Sequence, residues 1–162
     1  MPLATGAGIK STPISRGSDP KMAETSDDYN TQIIAEFRAN GGRVGGPWED
    51  IPLLLLHHTG AETAVRRVNP IAYLPDETGY LVWAANGGAP RNPAWYHNLT
   101  VHPITTIEIG GETIDIVAKE ATGDDRDRLF ARATERYPQL AGAARKTARV
   151  IPMIVLTPRL SS

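Results

Sequence analysis

The spacing of apolar positions changes along the chain, from a helical period near the start to short runs separated by turns. In SDDYNTQIIAEFRANGG, which begins at Ser26, the side chains of Ile33, Ile34 and Phe37 share one helical face. Ser26 is a favourable N-cap, and the glycines at the end of the segment terminate the helix. Residues 1–25 have no apolar period and are rich in glycine, proline, serine and charge, which predicts a disordered N-terminal tail.

Short runs of leucine and β-branched residues follow this helix, and they predict strands. The run LLLLHHT at 53–59 is one of them, and two more, at about 64–74 and 80–85, flank the turn LPDETG. The segment ITTIEIGGETIDIVAKEA alternates around Gly110 and Gly111, which is the pattern of a hairpin.

The C-terminal part of the chain predicts one more helix and one more strand. Thr122 can cap a helix through DDRDRLFARATERY, in which Leu129, Phe130 and Ala133 face inward, and VIPMIVLTP closes the chain as a buried strand. The pattern indicates an α+β fold of about six mostly antiparallel strands with three or four helices in one domain at 26–162. It favours a small barrel over a doubly wound sheet.

The composition narrows the kind of partner. The chain of 162 residues carries 17 basic and 18 acidic side chains and no cysteine. A nearly neutral chain without a basic field argues against nucleic acid as a partner, so a small molecule is expected. The lack of cysteine excludes disulfides and thiolate metal sites, and it fits a reducing cytoplasm. The longest apolar run, IPLLLL, is too short to cross a bilayer.

The segment GGAPRNPAWYHNL combines a flexible loop with the start of a helix. Asn92 is a good N-cap and Pro93 is favoured at the first helical position, so the segment predicts a helix that begins at about Pro93. Gly87 and Gly88 allow backbone amides to approach a ligand. An anion such as phosphate could lie there, beside Arg91 and the helix start.

Trp95 on this helix lies three positions before Asn98 and four before Leu99, so the three side chains are near one face. A planar ligand could stack on the indole ring. The alternative is an ordinary capped helix whose tryptophan belongs to the core.

The histidines do not predict a metal site. His57 and His58 are adjacent on a strand, so they face opposite sides and cannot bind one metal together. His97 and His102 have no acidic partner at ligand spacing. One of His57 and His58 could instead face a pocket. The chain also has no G-x-S-x-G elbow and no glycine-rich nucleotide loop, which leaves a hydrolase triad and the usual nucleotide folds without support.

The segment AVRRVNPIAYL places two arginines side by side on a strand, so only one of Arg66 and Arg67 can face inward. Asn69 and Pro70 come next, and because proline cannot donate to a ladder they predict a bulge or a sheet edge. An arginine that binds an anion and a solvated face of an edge strand are both open interpretations.

These motifs occur together in an order that resembles one family. The order TG-x-x-T, RVNP, A-x-GG and NP-x-WY-x-NL, here between Thr59 and Leu99, is similar to the deazaflavin-dependent nitroreductases of actinobacteria, which are F420H2-dependent quinone and nitro reductases. The similarity extends over about residues 30–158. The resemblance implies the split β-barrel of FMN-binding proteins. It also implies coenzyme F420, an 8-hydroxy-5-deazaflavin with a phosphate and an oligoglutamate tail.

The resemblance implies where that cofactor binds. It places the phosphate near the diglycine and Arg91, with Thr63 and Arg67 across the groove, and the planar ring near Pro70 and Trp95. The full implied cofactor-binding set is Thr63, Arg67, Val68, Asn69, Pro70, Ala85, Asn86, Gly87, Gly88, Arg91, Asn92, Pro93, Trp95 and Asn98.

The implied reaction is transfer of a hydride from the deazaflavin to a quinone, an enone or a nitroaromatic. The acceptor gains negative charge, which a hydrogen-bond donor must stabilise or protonate, and the candidates are Tyr137, His57, His58 and solvent. The partners are then the cofactor and a small-molecule acceptor, and a homodimer is left open. Two alternatives remain, a flavin mononucleotide (FMN) protein of the same barrel and a non-catalytic protein that binds or stores F420.

The chain departs from its relatives at charged and aromatic positions. Ala61, Glu62 and Asn86 stand where relatives commonly carry cations, and each lost contact to the phosphate or the tail would cost about 1.5–3 kcal/mol of binding free energy. Leu140 and Ala143 stand in the segment where relatives carry tyrosines that line the substrate pocket. We therefore expect a different acceptor and weaker binding of the cofactor.

Overall fold

A computed structural model describes residues 22–159 of the chain, with side chains described from residue 28 onward. The helices are α1 Met22–Ala39, α2 Ala94–Val101, α3 Gly123–Arg136 and α4 Pro138–Arg145. The strands are β1 Leu53–Thr59, β2 Arg66–Ala72, β3 Leu74–Asp76, β4 Gly79–Trp83, β5 Ile104–Ile109, β6 Glu112–Glu120 and β7 Met153–Pro158. Two short 3-10 turns, Gly46–Trp48 and Asn86–Gly88, precede β1 and α2.

All the strands belong to one antiparallel sheet, in the order β2-β1-β5-β6-β7-β4-β3. The two edge strands, β2 and β3, are consecutive in the chain, and only Tyr73 separates them. A sheet whose outer strands are joined by one residue has to curl until those edges meet at one end. The result is a curled half-barrel, so the predicted α+β split barrel is confirmed, with seven strands where about six were expected.

The unbroken run of leucines in β1 is explained by burial on both faces of the sheet. Leu54 and Leu56 pack in the interior of the half-barrel, whereas Leu53 and Leu55 pack against Phe37 of α1. A strand that is covered on both sides takes apolar residues at successive positions, and its sequence therefore does not alternate.

The helices α3 and α4 cover another part of the sheet. Leu129 and Ala133 of α3 are buried with Leu140 of α4 in one cluster, as the helical period predicted for the α3 residues. Phe130 is only half-buried at the margin of this cluster, where the guanidinium of Arg126 lies 4.6 Å from the centre of its ring. Among residues 22–159, no helix has the length and apolar character needed to cross a membrane.

The edge position of β2 accommodates its proline. The register with β1 runs without a break from Leu53 opposite Ala72 to Thr59 opposite Arg66, with Pro70 opposite Leu55. The predicted edge is confirmed and the predicted bulge is wrong. On an edge strand, a backbone nitrogen that faces away from the sheet makes no ladder hydrogen bond, so a proline fits at that position without a bulge.

The first helix is longer than the sequence predicted. It begins at Met22, so Ser26 lies inside the helix and is not its N-cap. Met22, Ala23 and Glu24 are good helix formers, and they extend the helix into the segment that was assigned to the tail. The rest of the predicted tail, residues 1–21, lies outside the described residues.

Two other predicted boundaries differ by a few residues. The predicted turn LPDETG is shorter than expected, because Leu74–Asp76 forms β3 and pairs with β4. Thr122 does stand at the N-cap position of α3, but its side chain makes no capping hydrogen bond there.

Candidate functional site

A pocket of about 510 Å³ opens between α4, the end of β4 and the loop before β1. Its walls are mostly apolar and aromatic: Trp48, Ile51, Trp83, Tyr137, Leu140 and Ala143. Gly87 of the Asn86–Gly88 turn and Lys146, just after α4, also line it. Its volume and lining are typical of a site for a small organic molecule. A larger depression, of about 1080 Å³, lies along the loop before β1, but polar and glycine residues form most of its lining.

The turn Asn86–Gly88 forms one border of this pocket. Gly87 has a φ of +64° with open space around its Cα, whereas Gly88 has a φ of +85° and is buried against α4. A Cβ added to Gly88 would lie 2.8 Å from the carbonyl oxygen of Ala143 and 2.9 Å from Cβ of Lys146. The first glycine therefore leaves backbone open to a ligand, and the second allows the turn to touch the helix.

A single guanidinium holds the loop that contains this turn. Arg149 donates from Nε to the carbonyl oxygen of Ala89 at 3.0 Å, and from its two terminal nitrogens to those of Ala84 and Ala85 at 3.1 and 2.8 Å. A fourth hydrogen bond, of 2.6 Å, reaches Oδ1 of Asn92. The sequence analysis did not single out Arg149, because nothing in the local pattern relates it to a loop about sixty residues earlier.

Asn92 is consequently not the N-cap of α2. The helix begins at Ala94, one residue later than predicted, with Pro93 at the N-cap position and no side-chain cap. Oδ1 of Asn92 instead accepts a hydrogen bond from the guanidinium of Arg149, which is charge-assisted and therefore stronger than a cap to a backbone amide.

The buried face of α2 carries Trp95, Asn98 and Leu99 together, as the helical spacing predicted. The indole ring of Trp95 is only 8% exposed and packs in the interior cluster with Leu54 and Val82. This is the core arrangement that the sequence left as an alternative to stacking on a ligand.

Asn98 and His58 belong to a buried network of hydrogen bonds. Nδ2 of Asn98 donates to Nδ1 of His58 at 2.9 Å, and the other ring nitrogen, Nε2, therefore carries the proton and donates to Oδ1 of Asn69 at 2.7 Å. Oδ1 of Asn98 accepts the backbone amide of Ala61 at 2.9 Å. Burial is the main cause that lowers the pKa of His58. The chain of hydrogen bonds fixes the loop after β1 against both α2 and β2.

His57 faces the opposite side of β1, as the strand geometry predicted. Its Nε2 lies 2.7 Å from Oε2 of Glu108, whose carboxylate also accepts two hydrogen bonds from Arg38 of α1, at 3.0 and 2.6 Å. Arg38, followed by His57, holds the pKa of the Glu108 carboxyl below its usual range. The candidate His57 thus lies in a cluster that joins α1 to the sheet, and it is not among the residues that line the pocket.

Thr63 and the arginines of β2 lie around the loop after β1. The hydroxyl of Thr63 accepts the amide of Val65 at 3.2 Å, and Arg66 and Arg67 are both exposed. Arg67 pairs with His58 across the two strands. Arg91 is exposed in the other loop, where its carbonyl oxygen accepts Nδ2 of Asn86 at 2.8 Å.

The predicted cofactor residues therefore fall into two groups, and α2 connects them. Ala85 through Pro93 form the loop held by Arg149, and this group borders the pocket. The second group, at the end of β1 and along β2, is Thr63, Arg67, Val68, Asn69 and Pro70. Trp95 and Asn98 lie on the helix between them.

Tyr137, the other catalytic candidate, forms part of the pocket wall. Its ring is tilted against Trp83, with centroids 5.3 Å apart, and the guanidinium of Arg136 lies 4.5 Å from the ring centre. Its hydroxyl donates to the carbonyl oxygen of Tyr73 at 3.3 Å. Burial raises the pKa of Tyr137, so the phenol keeps its proton at neutral pH.

The described side chains contain no group of three or more His, Cys, Asp or Glu residues that could hold a metal ion. The pocket offers mostly apolar walls, the phenol of Tyr137 and the ammonium of Lys146.

Comparison with known proteins shows which family the chain matches. The family model described as F420H(2)-dependent quinone reductase matches residues 30–158. An F420H(2)-dependent quinone reductase of Mycobacterium tuberculosis is 38% identical over 132 residues, which cover 77% of this chain and 87% of the relative.

Two solved structures are similar over much of the chain. One, described as an F420-H2 dependent reductase (FDR-A), is 31% identical with a TM-score of 0.59, and the match covers 65% of this chain and 93% of that one. Another, described as a domain-swapped dimer, is 26% identical with a TM-score of 0.61, covering 83% of this chain and 98% of that one.

The two glycines of the turn offer a matched pair of substitutions. We expect Gly88→Ala to lower the free energy of unfolding by about 2–4 kcal/mol, because the added Cβ is strained by the positive φ and also collides with α4. Gly87→Ala should cost only about 1–2 kcal/mol, since it meets the backbone strain alone. Chemical denaturation measures both values, and equal losses would show that the turn does not touch α4.

His58 should make the stability depend on pH. Because its pKa is lowered in the folded protein, the unfolded chain binds a proton at a pH where the folded chain does not. The contribution of the neutral ring is complete above the unfolded pKa of about 6.5 and is lost as the pH falls below it. We expect the free energy of unfolding to fall less steeply from about pH 7 to 5.5 in His58→Gln than in the wild type. The exposed His97→Gln is the control and should keep the wild-type slope. Identical slopes for all three proteins would contradict this role of His58.

Proposed function

This chain belongs to the family of F420H(2)-dependent quinone reductases, and on that premise we propose that the pocket beside α4 is where a quinone receives a hydride from the reduced cofactor. As a member of this family the protein is an oxidoreductase, and its cofactor is coenzyme F420. The FMN protein and the non-catalytic storage protein are not favoured. Among the acceptors implied by the sequence, quinones match the family and the nitroaromatics are only weakly supported.

The observation that carries the proposal is the junction between the aromatic pocket and the diglycine turn. Gly87 belongs to both, so a planar ring in the pocket would have its anionic side chain next to open backbone. The pocket volume of about 510 Å³ and its apolar walls suit a ring that lies against a quinone. Cationic side chains next to the turn suit a phosphate. The residues that are present therefore fit the cofactor, although three of the cations expected from its relatives are missing.

We assign the binding of the anionic part of the cofactor to Asn86, Gly87, Gly88 and Arg91, within the loop that Arg149 holds. Thr63 and Arg67 of the second group would contact it from the loop after β1. Bound F420H2 supplies the hydride. The quinone also takes up one proton, so the products are the oxidised cofactor and a hydroquinone.

The protein's contribution is to position the two rings, to exclude water and to provide a proton donor. Trp83 and Leu140 cover the pocket with apolar surface. Tyr137 is protonated, and its present hydrogen bond to the Tyr73 carbonyl is long, at 3.3 Å. A hydrogen bond from the phenol to the anionic oxygen of the reduced quinone would be charge-assisted and therefore stronger than the one it replaces.

The proposed function is tested by titrating the purified chain with F420 under anaerobic conditions. Trp48 and Trp83 line the pocket, so we expect their fluorescence to be quenched as the cofactor binds. Adding a quinone to the complex with F420H2 should then restore the absorbance of the oxidised deazaflavin. The proposal fails if cofactor concentrations on the order of tens of micromolar cause no quenching, or if no quinone of a structurally varied panel oxidises the bound F420H2.

Tyr137→Phe tests the assignment of the proton donor. We expect kcat for quinone reduction to fall by about tenfold or more, with the Kd for F420 unchanged, because only the hydroxyl is removed and the ring still packs on Trp83. Tyr80→Phe, on β4 and outside the pocket lining, is the control. An unchanged kcat in the first variant would leave solvent as the proton source.

We also propose that the chain forms a homodimer in the cytoplasm. Val101 at the end of α2 and Ile104 at the start of β5 are 54% and 56% exposed, and a self-association surface would cover them. A hydride carrier has to be reduced again after each turnover, which places the protein in the same compartment as the enzyme that does so. Light scattering should give a mass near twice 17.5 kDa, and a mass near 17.5 kDa would contradict the dimer.

A further inference from the structure

We infer that Lys146 supplies the cation that position 86 lacks, by binding an anionic group of the cofactor, either its phosphate or a carboxylate of its tail, at the Asn86–Gly88 turn. This inference rests on the proposed function. It concerns a residue outside the motifs by which the sequence resembles its family.

The geometry of the turn places Lys146 next to the open glycine. A Cβ on Gly88 would lie 2.9 Å from Cβ and 3.2 Å from Cδ of Lys146, so the aliphatic stem of the lysine lies over Gly88. Lys146 and Gly87 both line the pocket. The ammonium at the end of this stem is therefore carried next to the backbone that Gly87 leaves open.

The side chain of Asn86 supplies no positive charge at the turn. Its side-chain amide is turned into its own loop, where Nδ2 donates to the carbonyl oxygen of Arg91 at 2.8 Å. The residue that stands in place of a cation thus closes the loop and offers no charge.

The charge balance around the turn favours an anion. The residues that line the pocket include no Asp or Glu, and no ion pair involves Lys146 or Arg149 among the side chains from residue 28 to residue 159. Arg149 has four hydrogen bonds, all to neutral oxygens, so its positive charge is not neutralised by a carboxylate. Two uncompensated cations next to open backbone create a positive potential at the turn.

The two cations have different tasks. Four of the five N–H groups of Arg149 donate hydrogen bonds to the loop, so this side chain holds the turn in place. Lys146 is exposed and has three N–H groups on a flexible stem, which suits a point contact with a phosphate or a carboxylate.

The test compares Lys146→Gln with Arg145→Gln, which removes the same charge from the preceding position, outside the pocket lining. Dissociation constants are measured by tryptophan fluorescence for three ligands: F420, the form with a phosphate but no glutamates, and the deazaflavin alcohol without a phosphate. We expect Lys146→Gln to weaken F420 binding by about tenfold, and to leave the affinity for the alcohol unchanged. Arg145→Gln should affect none of the three by more than about twofold, and Lys146→Arg should restore most of the affinity for F420.

The three ligands also separate the two sources of the anion. An equal loss for F420 and for the form without glutamates assigns Lys146 to the phosphate, and a loss for F420 alone assigns it to the tail. An unchanged Kd for F420 in Lys146→Gln overturns the inference, as does an equal loss for F420 and the alcohol, which would show that Lys146 only shapes the pocket. If the wild type binds no F420, the proposed function fails first, and this inference fails with it.

Discussion

The four hydrogen bonds of Arg149 are the interaction on which the site depends. Its guanidinium donates hydrogen bonds to carbonyl oxygens on both sides of the Asn86–Gly88 turn and to the side chain of Asn92. These bonds hold the loop that runs from the end of β4 to the start of α2, including its two glycines. A loop rich in glycine and proline has many conformations of similar energy, and the fixed fork of the guanidinium selects one of them. Without it, the buried or half-buried carbonyl groups of Ala84 and Ala89 would lose this partner.

The other half of the site depends on a second polar residue, His58. Its two ring nitrogens connect β2 with α2 through Asn69 and Asn98, and Asn98 extends the connection to the amide of Ala61. One neutral tautomer satisfies both contacts, so this network requires an unprotonated ring. Because Arg149 holds the loop before α2 and His58 holds Asn98 within it, the helix keeps the two groups of predicted cofactor residues in a fixed relation.

The fold could be predicted from the sequence because its signals are local. The leucine run of β1, the hairpin around Gly110 and Gly111 and the helical face of α3 are each visible within about ten to fifteen residues, and each is present in the structure. The site was predicted less completely, because its organising contacts are distant in sequence. Asn92 has the pattern of an N-cap, but a guanidinium 57 positions later competes for its side chain. Lys146 carries no signal of its own, since its relation to Gly88 exists only once α4 has folded against the turn.

The single-residue connection between the two edge strands has a mechanical consequence for the pocket. Ala72 ends β2 and lines the pocket, and the carbonyl of Tyr73, the linking residue, accepts the hydroxyl of Tyr137. The pocket therefore lies at the seam of the half-barrel. Edge strands have ladder hydrogen bonds on one side only, so they are the strands that move at the lowest free-energy cost. A small opening of this seam would widen the pocket without breaking a ladder between interior strands. A ligand could then enter at the seam while the interior strands keep their pairing.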